Sequence, residues 1–320
     1  MRRCRPVPFT QKLLMSLLTD CVWNLAILRL PMRRRRRASV LADPCPICRK
    51  MPRNNIRLIQ FERSGMPAYL GRSRISEMTK SAKRKLVLIR HGKGPCDDRV
   101  SVFGAEHGYE LEYRHPFDGD ALGLPEDDVA GAVIFGGRFE AYETQKYPFL
   151  KQEARWIEAC IDQGIPLLGI CQGAQQIAHT LGGRVGPPPS NAHEFGYYPL
   201  LPTEKGRTTF PGPMRVTQAH FHTFDIPAGA VHLASSEDYP NQAFRYGQRT
   251  YAFQFHPEVT IEGFRRWQMS LSGLFGKPGA QTREEQDRLI YDSDRVQAAW
   301  FYAFLSKLFG TAKGSDTQSD

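Results

Sequence analysis

The segment Gly169-Ile170-Cys171-Gln172-Gly173 places a thiol with a glycine two residues away on either side. The apolar run Leu167-Leu168-Gly169-Ile170 precedes it. Ala174, Ile177, Ala178 and Leu181 follow at helical spacing, so the thiol is expected on a strand-to-helix turn. Such a turn holds a nucleophile at the carboxyl end of a sheet, and the flanking glycines let neighbouring backbone approach. N–H groups at the start of the helix would stabilise a thiolate and other developing negative charge. A structural cysteine buried at a strand end would carry the same pentapeptide, so these five residues alone do not decide between the two.

A catalytic thiol also needs a base. Gln254-Phe255-His256-Pro257-Glu258-Val259 places His256 just past a strand beginning near Tyr251, with Glu258 two residues on to orient the imidazole through its other nitrogen. Pro257 restricts the backbone between them. Both residues must then stand on the rim of a sheet that also ends at Cys171.

The surrounding pattern supplies that sheet. Leu86 to Arg90, Glu110 to Tyr113, Ala130 to Phe135 and Leu167 to Ile170 read as short strands, and the apolar ones suit a sheet covered on both faces. Ala154, Ile157 and Ile161 mark a helix between Phe149 and Gln163, stopped by Gly164 and Pro166. Later strands are expected at Tyr197 to Leu200 and Tyr251 to Phe255, and helices at Ile261 to Leu274 and Arg283 to Leu308. The last, with Trp300, Phe301, Phe304 and Leu305, should pack back onto the domain. The class is α/β, with a mostly parallel central sheet and helices on both faces.

The charge of +10 over 320 residues is unevenly placed. Residues 1–85 hold 21 Lys and Arg against 4 Asp and Glu, a net of +17, leaving 22 against 29, a net of −7, in the remainder. The basic excess therefore belongs to a leader, residues 1–78, which contains the Arg33–Arg37 run and reads as disordered, with a targeting role or absence from the mature protein as alternatives. Met78 is a candidate alternative start. Cys45 and Cys48 have ligand spacing but lack partners for a metal. Nucleic-acid binding would rest on the arginine run alone, and no segment reaches the apolar length of a membrane span. Seven cysteines at irregular spacing favour a reducing compartment, so the expected location is cytoplasmic. The domain is expected over 85–275, with a helical extension at 276–310 and a disordered tail at 311–320.

Taken together, Phe135-Gly136-Gly137, Gly169 through Gln175 and His256-Pro257-Glu258 resemble, in that order, the class I glutamine amidotransferase family. Within it the chain looks nearest to stand-alone proteins similar to the amidotransferase domain of GMP synthase. The resemblance covers roughly 85–275 and implies a flavodoxin-like amidotransferase fold. It implies that Cys171 attacks the glutamine amide, that His256 serves as base and acid, and that Glu258 orients it. It further implies an oxyanion hole from the N–H groups of Gly137 and Gln172, and substrate contacts by Gly136, Gln175 and His220. The sequence departs from the family at Arg138, where proline is usual, and at Ala219-His220-Phe221-His222, where the usual Gly and Asp are missing. No cofactor or metal is expected. The substrate is glutamine or a γ-glutamyl amide. No nucleotide-binding loop is visible, so a separate synthetase subunit is the expected ammonia acceptor, and a homo-oligomer stays open. A γ-glutamyl compound hydrolase and a catalytically silent regulatory subunit are the competing readings.

Overall fold

The computed structural model describes residues 84–312. The leader with its arginine run, its cysteine pair and Met78, and all but the first two residues of the C-terminal tail, lie outside the described residues.

One nine-stranded sheet organises the fold. Its parallel part contains β1 (Lys85–Ile89), β2 (Glu110–Arg114), β3 (Val129–Ile134), β4 (Leu167–Ile170) and β11 (Thr250–Phe253), ordered β2-β1-β3-β4-β11. An antiparallel wing continues from β11 through β10 (Ala243–Tyr246) and β9 (Val231–Ser235) to β6 (Glu194–Pro202) and β7 (Met214–His220). A small ribbon pairs β5 (Val185–Gly186) with β8 (Thr223–Phe224).

The period of two along β1 shows why both faces are covered. Leu86 and Leu88 enter a layer with Val100 and Phe103 of α1 (Arg99–Glu106) and with Phe301 and Leu305 of α5 (Arg283–Phe309). Val87 and Ile89 enter the opposite layer, with Trp156 and Ile157 of α2 (Phe149–Asp162) and Ile177 of α3 (Gln172–Thr180). A third cluster joins Phe195 and Tyr197 of β6 to Phe264 of α4 (Ile261–Ser270) and Ile290 of α5. Helix α5 starts at a capping box: Thr282 accepts from the Glu285 N–H while the Glu285 carboxylate accepts from the Thr282 N–H. Its buried Phe301, Leu305 and Leu308 pack on the domain.

The parallel strands and α2, α3 and α5 stand where the sequence places them, within a residue or two at the ends. The segment read as one helix to Leu274 ends at Ser270 and continues as a 3₁₀ turn over Ser272–Leu274. The antiparallel wing is the larger difference. The strand expected at Tyr197 to Leu200 is the middle of the nine-residue β6, and β7, β9 and β10 answer to no expected strand.

Candidate active site

Cys171 follows β4 directly and caps α3 with φ 52° and ψ −110°. A side chain rarely holds this conformation, which costs on the order of 1–3 kcal/mol. The surroundings impose it: the Cys171 N–H donates to the Phe253 carbonyl at 2.7 Å, and the Cys171 carbonyl accepts from the Gln175 N–H at 3.0 Å. The flanking glycines allow the close packing. A Cβ at Gly169 would stand 2.6 Å from the Gly173 carbonyl oxygen, and one at Gly173 would overlap the Ile134 carbonyl.

His256 lies on the same rim, beyond β11. Its Nδ1 donates to Glu258 Oε1 at 2.8 Å, and its Cε1 and the Cys171 side chain meet at the same point above Gly136. All three residues are at least nine-tenths buried. Burial disfavours the imidazolium, but the Glu258 carboxylate and then the Cys171 side chain outweigh it, raising the His256 pKa to about 10. Trp267 meets the ring edge-on, with centroids 4.8 Å apart.

Gly136 closes the third side. A Cβ there would come within 2.9 Å of His256 Cε1, 3.3 Å of Cys171 Cβ and 3.8 Å of Cys171 Sγ. Gly137 is exposed beside it, and Gln172 is the first residue of α3, where an N–H has no acceptor within its own helix. The Gln172 side chain ties the loop down: Oε1 accepts from the Phe139 N–H at 2.9 Å. Arg138 lies over the Phe139 ring at 5.5 Å.

Beneath this loop stands His91, which the sequence reading missed. Its Nδ1 donates to the Phe135 carbonyl at 3.0 Å and its Nε2 to Glu153 Oε1 at 3.0 Å. Acceptors at both nitrogens favour the doubly protonated ring. Burial opposes that charge, and the Glu153 carboxylate overrides it and raises the His91 pKa. A signal was available in the sequence, since His91 falls just past the carboxyl end of β1, on the rim where ligand sites of parallel sheets form.

Gln175 and His220 meet at a different point. Gln175 Nε2 donates to the His222 carbonyl at 3.2 Å and to Gln254 Oε1 at 3.1 Å. His220 Nδ1 faces the same His222 carbonyl at 3.1 Å, while its Nε2 donates to Glu194 Oε2 at 2.9 Å. Ser236 Oγ at 2.7 Å and Gln242 Nε2 at 2.7 Å also donate to Glu194. Both ring nitrogens of His220 are thus engaged by the protein, in a buried network that joins β6 and β7 to the connection between β9 and β10.

Among the described residues, no group of His, Cys, Asp or Glu is arranged to hold a metal ion, and no helix is long and apolar enough to cross a membrane.

The chain is similar over 213 residues, at 29% identity, to the glutamine amidotransferase-like protein YfeJ of Salmonella typhimurium, covering 63% of this chain and 84% of that one. It is 34% identical over 143 residues to GMP synthase [glutamine-hydrolyzing] of Porphyromonas gingivalis, covering 42% of this chain. That stretch is 26% of the synthase, so the chain spans about a quarter of its length. Among solved structures, a glutamine amidotransferase from Thermotoga maritima superposes with a TM-score of 0.62 at 30% identity, covering 72% of this chain and 98% of that one. The glutamine amido transferase from Methylobacillus flagellatus, at 22% identity and a TM-score of 0.66, shares the fold. The class-I glutamine amidotransferase family profile matches residues 105–266, half of the chain. With the α/β sheet and the cysteine elbow, that match identifies the chain as a member of the class I glutamine amidotransferase family, whose enzymes are amide hydrolases.

Proposed function

We propose that this protein hydrolyses the side-chain amide of glutamine through Cys171, His256 and Glu258. Cys171 Sγ attacks the amide carbon while its proton resides on His256. The resulting oxyanion is stabilised by the backbone N–H groups of Gly137 and Gln172, each worth on the order of 3 kcal/mol to the transition state. Collapse breaks the C–N bond, and His256 gives its proton to the departing nitrogen, leaving a γ-glutamyl thioester and ammonia. Water then attacks the thioester, His256 takes its proton and returns it to the sulfur, and glutamate leaves. Glu258 holds the imidazole in the orientation and charge state that both steps use. Gln175 and His220 act one step back, fixing the His222 carbonyl and the wall of the pocket.

The observation that carries this reading is one buried imidazole that shares the pocket at Gly136 with the thiol of a positive-φ elbow and hydrogen-bonds a carboxylate through Nδ1. The ammonia goes to a synthetase site on another polypeptide, by analogy with the quarter of GMP synthase that this chain matches. Reduced, purified protein assayed for glutamate release from glutamine, with a γ-glutamyl amine in parallel, tests the proposal. Glutamine should be turned over and Cys171→Ala should be inert. Hydrolysis of the γ-glutamyl amine with no action on glutamine would replace the substrate while keeping the triad.

A further inference from the structure

The His256-to-Val259 loop leaves the sheet after Phe253, and its backbone is held from two directions. On one side the His256 N–H donates to the Thr217 carbonyl of β7 at 2.8 Å. Thr217 is itself gripped by Gln297 of α5: its N–H donates to Gln297 Oε1 at 2.7 Å, and Gln297 Nε2 donates to its Oγ1 at 3.0 Å. On the other side, three successive carbonyls end on one residue. Arg99 at the start of α1 donates from its backbone N–H to the Glu258 carbonyl at 2.9 Å, from Nη1 to the Pro257 carbonyl at 3.0 Å, and from Nη1 to the Val259 carbonyl. The remaining arm of the guanidinium pairs with Asp294 of α5 at 2.5 Å. Asp294 and Gln297 are three residues apart, so they project from one face of the helix. Arg99, Asp294, Thr217 and Gln297 are all more than nine-tenths buried. Arg99, Asp294 and Gln297 also lie outside the 105–266 segment that carries the family match.

We propose that α5 positions the catalytic base, with Asp294 acting through Arg99, and Gln297 through Thr217, as positioning residues for His256. This rests on the reading of Cys171 and His256 given above. A displaced ring would meet the thiol and the leaving nitrogen poorly, and displacements of about 1 Å can cost on the order of 100-fold in rate. Arg99 and Asp294 are a buried ion pair, and removing one partner alone would strand a charge. The informative variant is therefore Arg99→Met with Asp294→Leu, which removes both charges and the guanidinium bonds to the Pro257 and Val259 carbonyls together, leaving only the backbone N–H bond to Glu258. Gln297→Leu tests the second link separately.

In full-length protein, each variant should keep its cooperative melt and a KM for glutamine close to wild type, while kcat falls roughly 10- to 100-fold. Amide hydrogen exchange over residues 254–260 should accelerate, and Asp294→Glu, which keeps the charge, should recover much of the rate. Folded variants with wild-type kcat and wild-type exchange would overturn the proposal. So would a lowered melting temperature with kcat intact, which would make the contacts merely structural. If neither variant folds, wild-type exchange decides: residues 254–260 should open only together with α5, and a loop that exchanges while α5 stays protected refutes the link. Wild-type protein that neither hydrolyses glutamine nor is labelled at Cys171 would defeat the functional reading instead, while the exchange comparison would still test the positioning.

Discussion

At Cys171 the side chain pays a conformational cost that only its chemistry requires. Cys171→Ala should abolish turnover and covalent labelling by an electrophilic glutamine analogue without unfolding the domain. Cys171→Gly should be just as inactive yet more stable than Cys171→Ala by about 1 kcal/mol, because glycine tolerates φ 52°. Chemical denaturation of the two variants checks this, and equal stabilities would mean the elbow is unstrained. The analogue matters because Cys96 is exposed and would also take a general thiol reagent, whereas burial pushes the Cys160 thiol up and keeps it inert. Glu258 sets a different observable. Its carboxylate is the largest influence raising the His256 pKa, so Glu258→Gln should lower that pKa. His256 must be protonated to release ammonia, so the alkaline limb of kcat should move to lower pH in the variant while residual activity persists. An unshifted limb would assign it to another group. Gly136→Ala places a methyl against His256 Cε1 and Cys171 Cβ, and should cost roughly 100-fold in kcat with little loss of stability.

At the scale of the element, the parallel strands were legible because Leu86–Ile89, Ala130–Phe135 and Leu167–Ile170 are continuous apolar runs that only a doubly covered sheet needs. The elbow and the His-Pro-Glu segment were legible because local spacing fixes them. Strand β7 was not. Thr217, Gln218 and His220 are buried in it but polar, and their partners Gln297, Gln242 and Glu194 are 80, 24 and 26 residues away. No pattern of apolar residues announces a strand whose interior is a hydrogen-bond network. Helix α1 was missed because it is eight residues long, with Asp98 as its only marked end. His91 escaped for a similar reason, since its role depends on Glu153 in α2. Glu153→Gln should leave a buried imidazolium without its anion and destabilise the protein by about 3 kcal/mol. The sign with pH follows from the raised folded pKa of His91. The stabilisation is full below its unfolded value, about 6.5, and fades as pH rises through the folded one. Urea titrations of wild type and variant should therefore converge towards alkaline pH, and a gap that widens there would reverse the assignment. The same variant should loosen Phe135-Gly136-Gly137 and lower kcat.

For the whole molecule, charge is divided unevenly along the chain, with a net of +17 over the first 85 residues and −7 over the remainder. Both faces of the sheet are covered by helices from residues 84–312. From Met78 onward there are 26 Lys and Arg against 29 Asp and Glu, a net of −3, compared with +10 for the full chain. We therefore propose that folding and catalysis belong to the later span and that the basic leader governs where the protein goes or what it adheres to. A chain beginning at Met78 should melt as cooperatively as the full-length protein, at nearly the same temperature, with the same kcat for glutamine. It should also change ion-exchange behaviour near neutral pH, from retention on a cation exchanger to retention on an anion exchanger. If the shortened chain keeps its fold but loses activity, the leader contributes to the site. A broad, non-cooperative melt would instead show that the leader is part of the folded unit, and the division drawn from charge would fail.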